Sequence, residues 1–149
     1  MISVQQQDFN QGDEYHALTQ DANSEGAVVT FVGLVRDINQ GNTVKELTLE
    51  HYPGMTEKSL KTIVQQAKQR WSLGKVRVIH RIGRLKLNDQ IVFVGVTSRH
   101  REAAFAASQF IMDYLKNQAP FWKKETTDQG ENWVDFNEKD QQAMQRWQE

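Results

Sequence analysis

Two stretches with helical spacing, each preceded by strand-like runs, decide what this chain can fold into. Leu60, Ile63, Val64, Ala67 and Trp71 recur at i, i+3, i+4, i+7 and i+11. They form one apolar stripe on a helix from Thr56 to Trp71, closed by Gly74. A second helix is predicted over Arg99 to Asn117, apolar around most of its circumference and stopped by Pro120. Ahead of the first helix, AVVTFVGLVR reads as a buried strand ending at Arg36. VKELTLEHY follows as a strand with Leu47, Leu49 and His51 on one side. Between the helices, KVRVIHRIG alternates as a strand, LKLND supplies a turn and IVFVGVTS is another strand. PFWKKET and WVDF flank the turn-prone DQGEN as a hairpin. Strands and helices in this order lack regular βα alternation, so the fold class is α+β rather than a parallel sheet.

The 149 residues fit one domain, 1–149, with a polar segment 1–25 and a polar tail 138–149. In the first segment Val4 and Phe9 suit a short edge strand; the tail suits a frayed helix, and DINQGN a mobile loop. With 18 Lys+Arg against 19 Asp+Glu, the chain has no basic field with which to grip nucleic acid non-specifically. The longest apolar run, Ala27 to Val35, is nine residues and is interrupted by Thr30 and Gly33, too short to cross a membrane. MISVQQQDFNQGDEY lacks the basic start and apolar run of a signal peptide, so a cytoplasmic location is expected. There is no cysteine, which removes disulfides, thiolate metal sites and a cysteine nucleophile. His16, His51, His80 and His100 lie 35, 29 and 20 residues apart, and none forms a short metal-ligand pair. GxGxxG, GxxxxGK[ST] and GxSxG are all absent.

Three places carry polar chemistry. Ser98-Arg99-His100-Arg101 puts potential cations at a helix start, where the dipole disfavours them unless an anion is bound. The alternatives are side chains pointing into water, or neutralisation by Glu102. Lys116 stands at the other end of the same helix, either as a favourable C-terminal charge paired with Asp113 or as a functional amine. After Pro120, an extended FWKK would project Phe121 and Lys123 to one side and Trp122 and Lys124 to the other. Lys123 could then stand near Lys116 against an aromatic wall, where crowding of cations and loss of water lower an amine's pKa. An exposed hairpin with snorkelling lysines is the alternative. Arg36, closing a strand beside a Gly- and Asn-rich loop, suits either a phosphate clamp or an ordinary surface position.

TFVGLVR, LTLEHYPGMTEKSL, VIHRIGRL, IVFVGVTSRHR and FIMDYLKNQAPFWKKE together resemble the catalytic (large) subunits of molybdopterin synthase, in the same order from about Gly26 to Trp133. The resemblance implies an α/β hammerhead-type fold with antiparallel sheets and two main helices. It implies a sulfurtransferase that moves two sulfurs from the C-terminal Gly-Gly thiocarboxylate of a small ubiquitin-like carrier to cyclic pyranopterin monophosphate. The product is the dithiolene of molybdopterin, made in molybdenum cofactor biosynthesis. It implies a homodimer within a heterotetramer, with no cofactor or metal of the chain's own. Lys116 and Lys123 match the family's two active-site lysines. Arg36, His100 and Arg101 match residues that bind the anionic pterin, and Leu34, Val35, Lys124 and Glu125 adjoin those contacts. The basic residue that the family often has after its C-terminal Trp-Val is not matched; Asn137 is there, with Lys139 two positions on, and no role is assigned. Arg101 and Lys116 lie 15 residues apart on one predicted helix, about 22 Å at 1.5 Å per residue. The site is therefore expected to combine Lys116 and Lys123 of one subunit with His100 and Arg101 of its mate. A non-catalytic adaptor that only docks a ubiquitin-like partner is the alternative, with an RNA-stacking module using Phe121 and Trp122 behind it.

Overall fold

A computed structural model of the chain describes residues 1–39, 41–134 and 138–148. The alternating runs pair into two sheets, mainly antiparallel, with the helices packed against the first, which gives the α+β architecture. The first sheet has the order β1-β5-β7-β2, from β1 (Ile2–Gln5), β2 (Ala27–Leu34), β5 (Leu73–Arg81) and β7 (Gln90–Ser98). Its one parallel contact is β1 on β5. The second sheet is built on β4 (Asn42–His51), with β6 (Gly83–Lys86) and β8 (Phe121–Thr127) each paired to it through Glu46 to Leu49. β3 (Ile38–Asn39) folds back on the start of β4, and β9 (Gly130–Trp133) pairs with β8.

Alternation along the strands sorts the core into layers. Val76 and Val78 of β5 and Val92, Val94 and Val96 of β7 are buried against α2 (Met55–Arg70) and α3 (Arg101–Gln118). Leu60, Ile63, Val64 and Ala67 are the buried stripe of α2, as the spacing requires. On the opposite side of the sheet, Ile79 and Phe93 meet Leu18 of α1 (Gln11–Thr19). Gly95 makes that layer possible: a Cβ there would lie 2.4 Å from the Leu18 Cδ1 and 2.8 Å from the Phe93 ring.

Five local readings change. α1 was not legible, because Leu18 is its one buried residue; it starts where the Asn10 side chain accepts a hydrogen bond from the Asp13 N–H at 3.0 Å. Phe9 lies outside β1 and packs edge-to-face on Phe93. LKLND is only partly a turn: Leu85 belongs to β6 and is fully buried beside Leu47 and Leu49, and the chain reverses at Asn88, with φ of 68°. β2 is not a buried strand. It pairs with β7 alone and forms the sheet's edge, leaving Phe31 43% and Leu34 51% exposed.

The tail is the fifth. Residues Glu138–Gln145 form α4, and Trp147 beyond it sets its ring edge-on to Trp71 and Phe110 while its Nε1–H donates to Asp113 at 2.7 Å. Asn117 Nδ2 also donates to the Asp140 carbonyl at 2.6 Å. The segment is docked rather than frayed, because its one tryptophan reaches an apolar seat. Of the WVDF strand, Trp133 ends β9, while Asp135 and Phe136 lie outside the described residues, as does Asn137.

Candidate active site

Pro120 ends the run that follows α3, and β8 begins at once with Phe121 opposite His51, Lys123 opposite Leu49 and Glu125 opposite Leu47. Directly opposed residues in an antiparallel pair share a face. Phe121, Lys123 and Glu125 therefore point to the same side as Leu47 and Leu49, which are buried, and His51, which is half-buried. Lys116, in the last turn of α3, reaches that side and sets its charge beside the Lys123 amine. The two lysines, 7 residues apart in sequence, are thus brought together by a helix end and a strand start.

The consequence is a softened ammonium. Loss of water around Lys123, then the charge of the neighbouring Lys116, bring its pKa down to about 8; Asp140 and Glu125 pull the other way. At pH 7 roughly a tenth of such amines are neutral, against less than about one in a thousand for an ordinary lysine.

His80 closes the back of this cluster. It follows Val76 and Val78 on the helix-facing side of β5 and is 4% exposed, and its ring stacks on Phe121 with centroids 3.7 Å apart and planes 17° from parallel. Burial above all, with the charges of Lys123, Lys116 and His51 adding to it, pushes its pKa down to about 3, although its contact with the Arg81 carbonyl opposes the shift. The imidazole is neutral at physiological pH. Its Nδ1 lies 2.8 Å from that carbonyl, which can only accept, so Nδ1 carries the proton.

Other predicted residues fall elsewhere. Lys124 is on the opposite face of β8, 3.7 Å from Glu131 and over the Trp133 ring. Val35 is buried with Leu47, Leu49 and Leu85, and both its backbone groups are taken by the Asn88-Asp89 turn. Leu34 and Arg36 on either side of it are exposed. His100 is the N-cap of α3 and Arg101 its first residue, both exposed and without a side-chain cap bond. They stand at the far end of the helix from Lys116, about 22 Å away by helical rise. A single chain therefore joins Lys116, Lys123 and Glu125, and keeps His100 and Arg101 apart from them. Sequence reasoning placed Phe121 on the side of Lys123 but missed His80, His51 and Asp140 as neighbours of the pair. The signal for His80 was its parity with Val76 and Val78; for Asp140 there was none.

Among the described residues no cluster of three His, Asp or Glu side chains is arranged to hold a metal ion, and no helix is long and apolar enough to cross a membrane. What remains is an amine that can gain or lose a proton near neutral pH beside a second amine, against a neutral ring. That combination suits acid–base work on an anionic partner.

Residues 4–118 match the family model described as MoaE protein. The molybdopterin synthase catalytic subunit of Vibrio cholerae is 60% identical over 146 residues, covering 98% of this chain and 97% of that one. Among solved structures, the molybdopterin biosynthesis MoaE protein from Burkholderia ambifaria superimposes with a TM-score of 0.85 at 48% identity, over 100% of this chain and 98% of its own. A complex of subunits 1 and 2 of the molybdopterin-converting factor from Helicobacter pylori shares the fold, with a TM-score of 0.73 at 17% identity, over 89% of each chain.

Proposed function

This chain belongs to the MoaE family of molybdopterin synthase catalytic subunits, and we propose that its Lys116–Lys123 pair carries out the sulfur transfer that forms the dithiolene. The donor is the C-terminal thiocarboxylate of a small ubiquitin-like carrier, and the acceptor is cyclic pyranopterin monophosphate. A chain without cysteine has no thiol of its own to carry sulfur, which agrees with a donor arriving on a second protein. The Helicobacter neighbour, a complex of two converting-factor subunits, is consistent with such a partner.

The observation that carries the reading is the placing of Lys123 beside Lys116 and largely away from water, which brings its pKa down to about 8. In the proposed division of work, Lys116 offers its ammonium to the carbonyl oxygen of the carrier tail, stabilising charge there as water adds to the carbonyl carbon, the bond to the sulfur now held by the pterin breaks, and the tail is released as a carboxylate. Lys123, partly neutral at working pH, takes and returns protons as the pterin is attacked and its cyclic phosphate opens. Glu125 lies on the same face of β8 and moderates the positive charge of the pair.

The phosphate falls to the basic start of α3, but in a second copy. Arg101, Phe105, Gln109, Met112 and Lys116 follow one another at four, four, three and four residues, a single side of the helix. Phe105 is 62% exposed on that side, and Phe31 and Leu34 of β2, the strand that packs on α3, are uncovered as well. An antiparallel pairing of two α3 helices about a two-fold axis near Ser108 and Gln109 covers the exposed Phe105. It also sets His100 and Arg101 of the partner subunit beside Lys116. Each active site in this reading is shared between subunits, with Arg36 as a further anion contact. Lys124, with Glu131 and Trp133 on the outer face, is assigned a supporting position rather than a contact.

Reconstitution tests the reading. The purified chain, a thiocarboxylated carrier and cyclic pyranopterin monophosphate should yield dithiolene product. Lys116→Ala and Lys123→Ala should each keep carrier binding and lose product formation by at least about a hundredfold. Undiminished turnover in both variants would refute the roles given to the two lysines, and carrier binding without product in wild type would leave only the adaptor reading.

A further inference from the structure

His80 is a buried titratable side chain beside the lysine pair that the reaction above does not use. Its position is peculiar. β5 belongs to the first sheet and β8 to the second, and the His80–Phe121 stack joins them at the point where β8 begins. Two residues further along β8, on the same face, stands Lys123. The ring is held on two sides: by the stack, and by its Nδ1–H bond to Arg81, the last residue of β5. Phe121 in turn donates its N–H to the Ala119 carbonyl at 2.9 Å, so the turn after α3, the stack and the strand start form one continuous unit.

We propose that His80 is a positioning residue: by stacking on Phe121 it fixes the start of β8 and so holds the Lys123 amine against Lys116. A leucine in the same row as Val76 and Val78 would fill the core but offer no flat face to Phe121. A charged ring would add a third cation beside the two lysines, and burial keeps this one neutral. The inference rests on the reading of Lys116 and Lys123 as the reacting pair, but its structural part can be measured without substrate.

The groups that face Lys123 are Lys116 from α3, Asp140 from α4, Glu125 from β8, and His80 and His51 from β5 and β4. Loosening the stack lets water reach the amine and moves it from Lys116, so its titration midpoint rises. The experiment is competitive labelling of lysine amines with an acylating reagent across pH, with Lys123 read by mass spectrometry in the full-length chain. Wild type should show a midpoint near 8. His80→Phe keeps a ring on Phe121 and should stay near that value. His80→Asn keeps a donor for the Arg81 carbonyl but loses the ring, and its midpoint should rise by about one unit or more, a tenfold fall in neutral amine at a given pH. Phe121→Leu removes the other half of the stack, should behave like His80→Asn, and decides the matter if His80→Asn does not fold.

In the reconstituted reaction His80→Asn and Phe121→Leu should lower kcat with little change in KM for the carrier. A ring that only fills space would lower Tm without moving the Lys123 midpoint. An unmoved midpoint in folded His80→Asn or Phe121→Leu overturns the proposal, as does an equal rise in His80→Phe. Absence of product in wild type, with the midpoints ordered as described, would instead overturn the assigned reaction and leave the positioning role standing.

Discussion

Holding Lys123 beside Lys116 costs stability, and replacing it with methionine should return that cost. In the folded chain the amine's pKa is brought down from the ordinary 10.5 to about 8, first by loss of water and then by the neighbouring lysine. A base whose folded pKa lies below its unfolded value binds protons more readily when unfolded. Between about pH 8 and 10.5 the unfolded state therefore holds more protons, and stability rises with pH. Below that window the full penalty applies. Two and a half units at 1.36 kcal/mol each is about 3 kcal/mol, reduced to about 2 kcal/mol because the half-buried ammonium keeps some contact with water. Lys123→Met keeps the apolar stem and removes the charge. The variant should be about 2 kcal/mol more stable than wild type at pH 7, and the difference should shrink towards zero by pH 10.5. Urea unfolding of both proteins at a series of pH values isolates the effect, because all other titrating groups are common to the two. A variant less stable than wild type at pH 7, or a gain that does not change with pH, would refute the reasoning.

Other substitutions probe the frame around the site. Gly95→Ala should lower stability by about 1–3 kcal/mol, read as a fall in Tm, because the new methyl meets Leu18 and Phe93 in a filled layer. Trp147→Ala should cost about 3 kcal/mol and speed amide exchange in α4, since the ring packs on Trp71 and Phe110 and its N–H bonds Asp113. His80 is held neutral with its pKa near 3, so stability should be lost as pH falls from 6.5 towards 3, where the unfolded chain takes up a proton that the fold refuses. His80→Phe should flatten that acid limb in a denaturation series.

The helices and long strands were legible because their apolar residues carry the pattern. The stripe from Leu60 to Ala67 and the row Val92, Val94, Val96 announce their elements without help. α1 and the docked tail were not, for a shared reason: each rests on very few apolar side chains, Leu18 in one and Met144 and Trp147 in the other, in an otherwise polar segment. So few contacts with distant parts of the chain leave no period to read. The edge position of β2 was hidden because an apolar run looks the same whether it is covered by its own chain or left open, as at Phe31 and Leu34. At the site, the parity of Phe121 and Lys123 and the helix end at Lys116 were visible from spacing. That Lys124 turns away towards Glu131 follows from the same parity. The stack of His80 on Phe121 joins two sheets, and no local pattern encodes which residues meet across that gap.

The central claim is that reacting lysines of one subunit work with the anion-binding helix start of another. Mixing two inactive variants, Arg101→Ala and Lys123→Ala, in equal amounts under conditions that exchange subunits tests it most directly. Half of the resulting dimers are mixed, and in each of these one site has both residues intact, so the account predicts recovery of about a quarter of wild-type product formation. No recovery from a mixture shown to contain mixed dimers would contradict it.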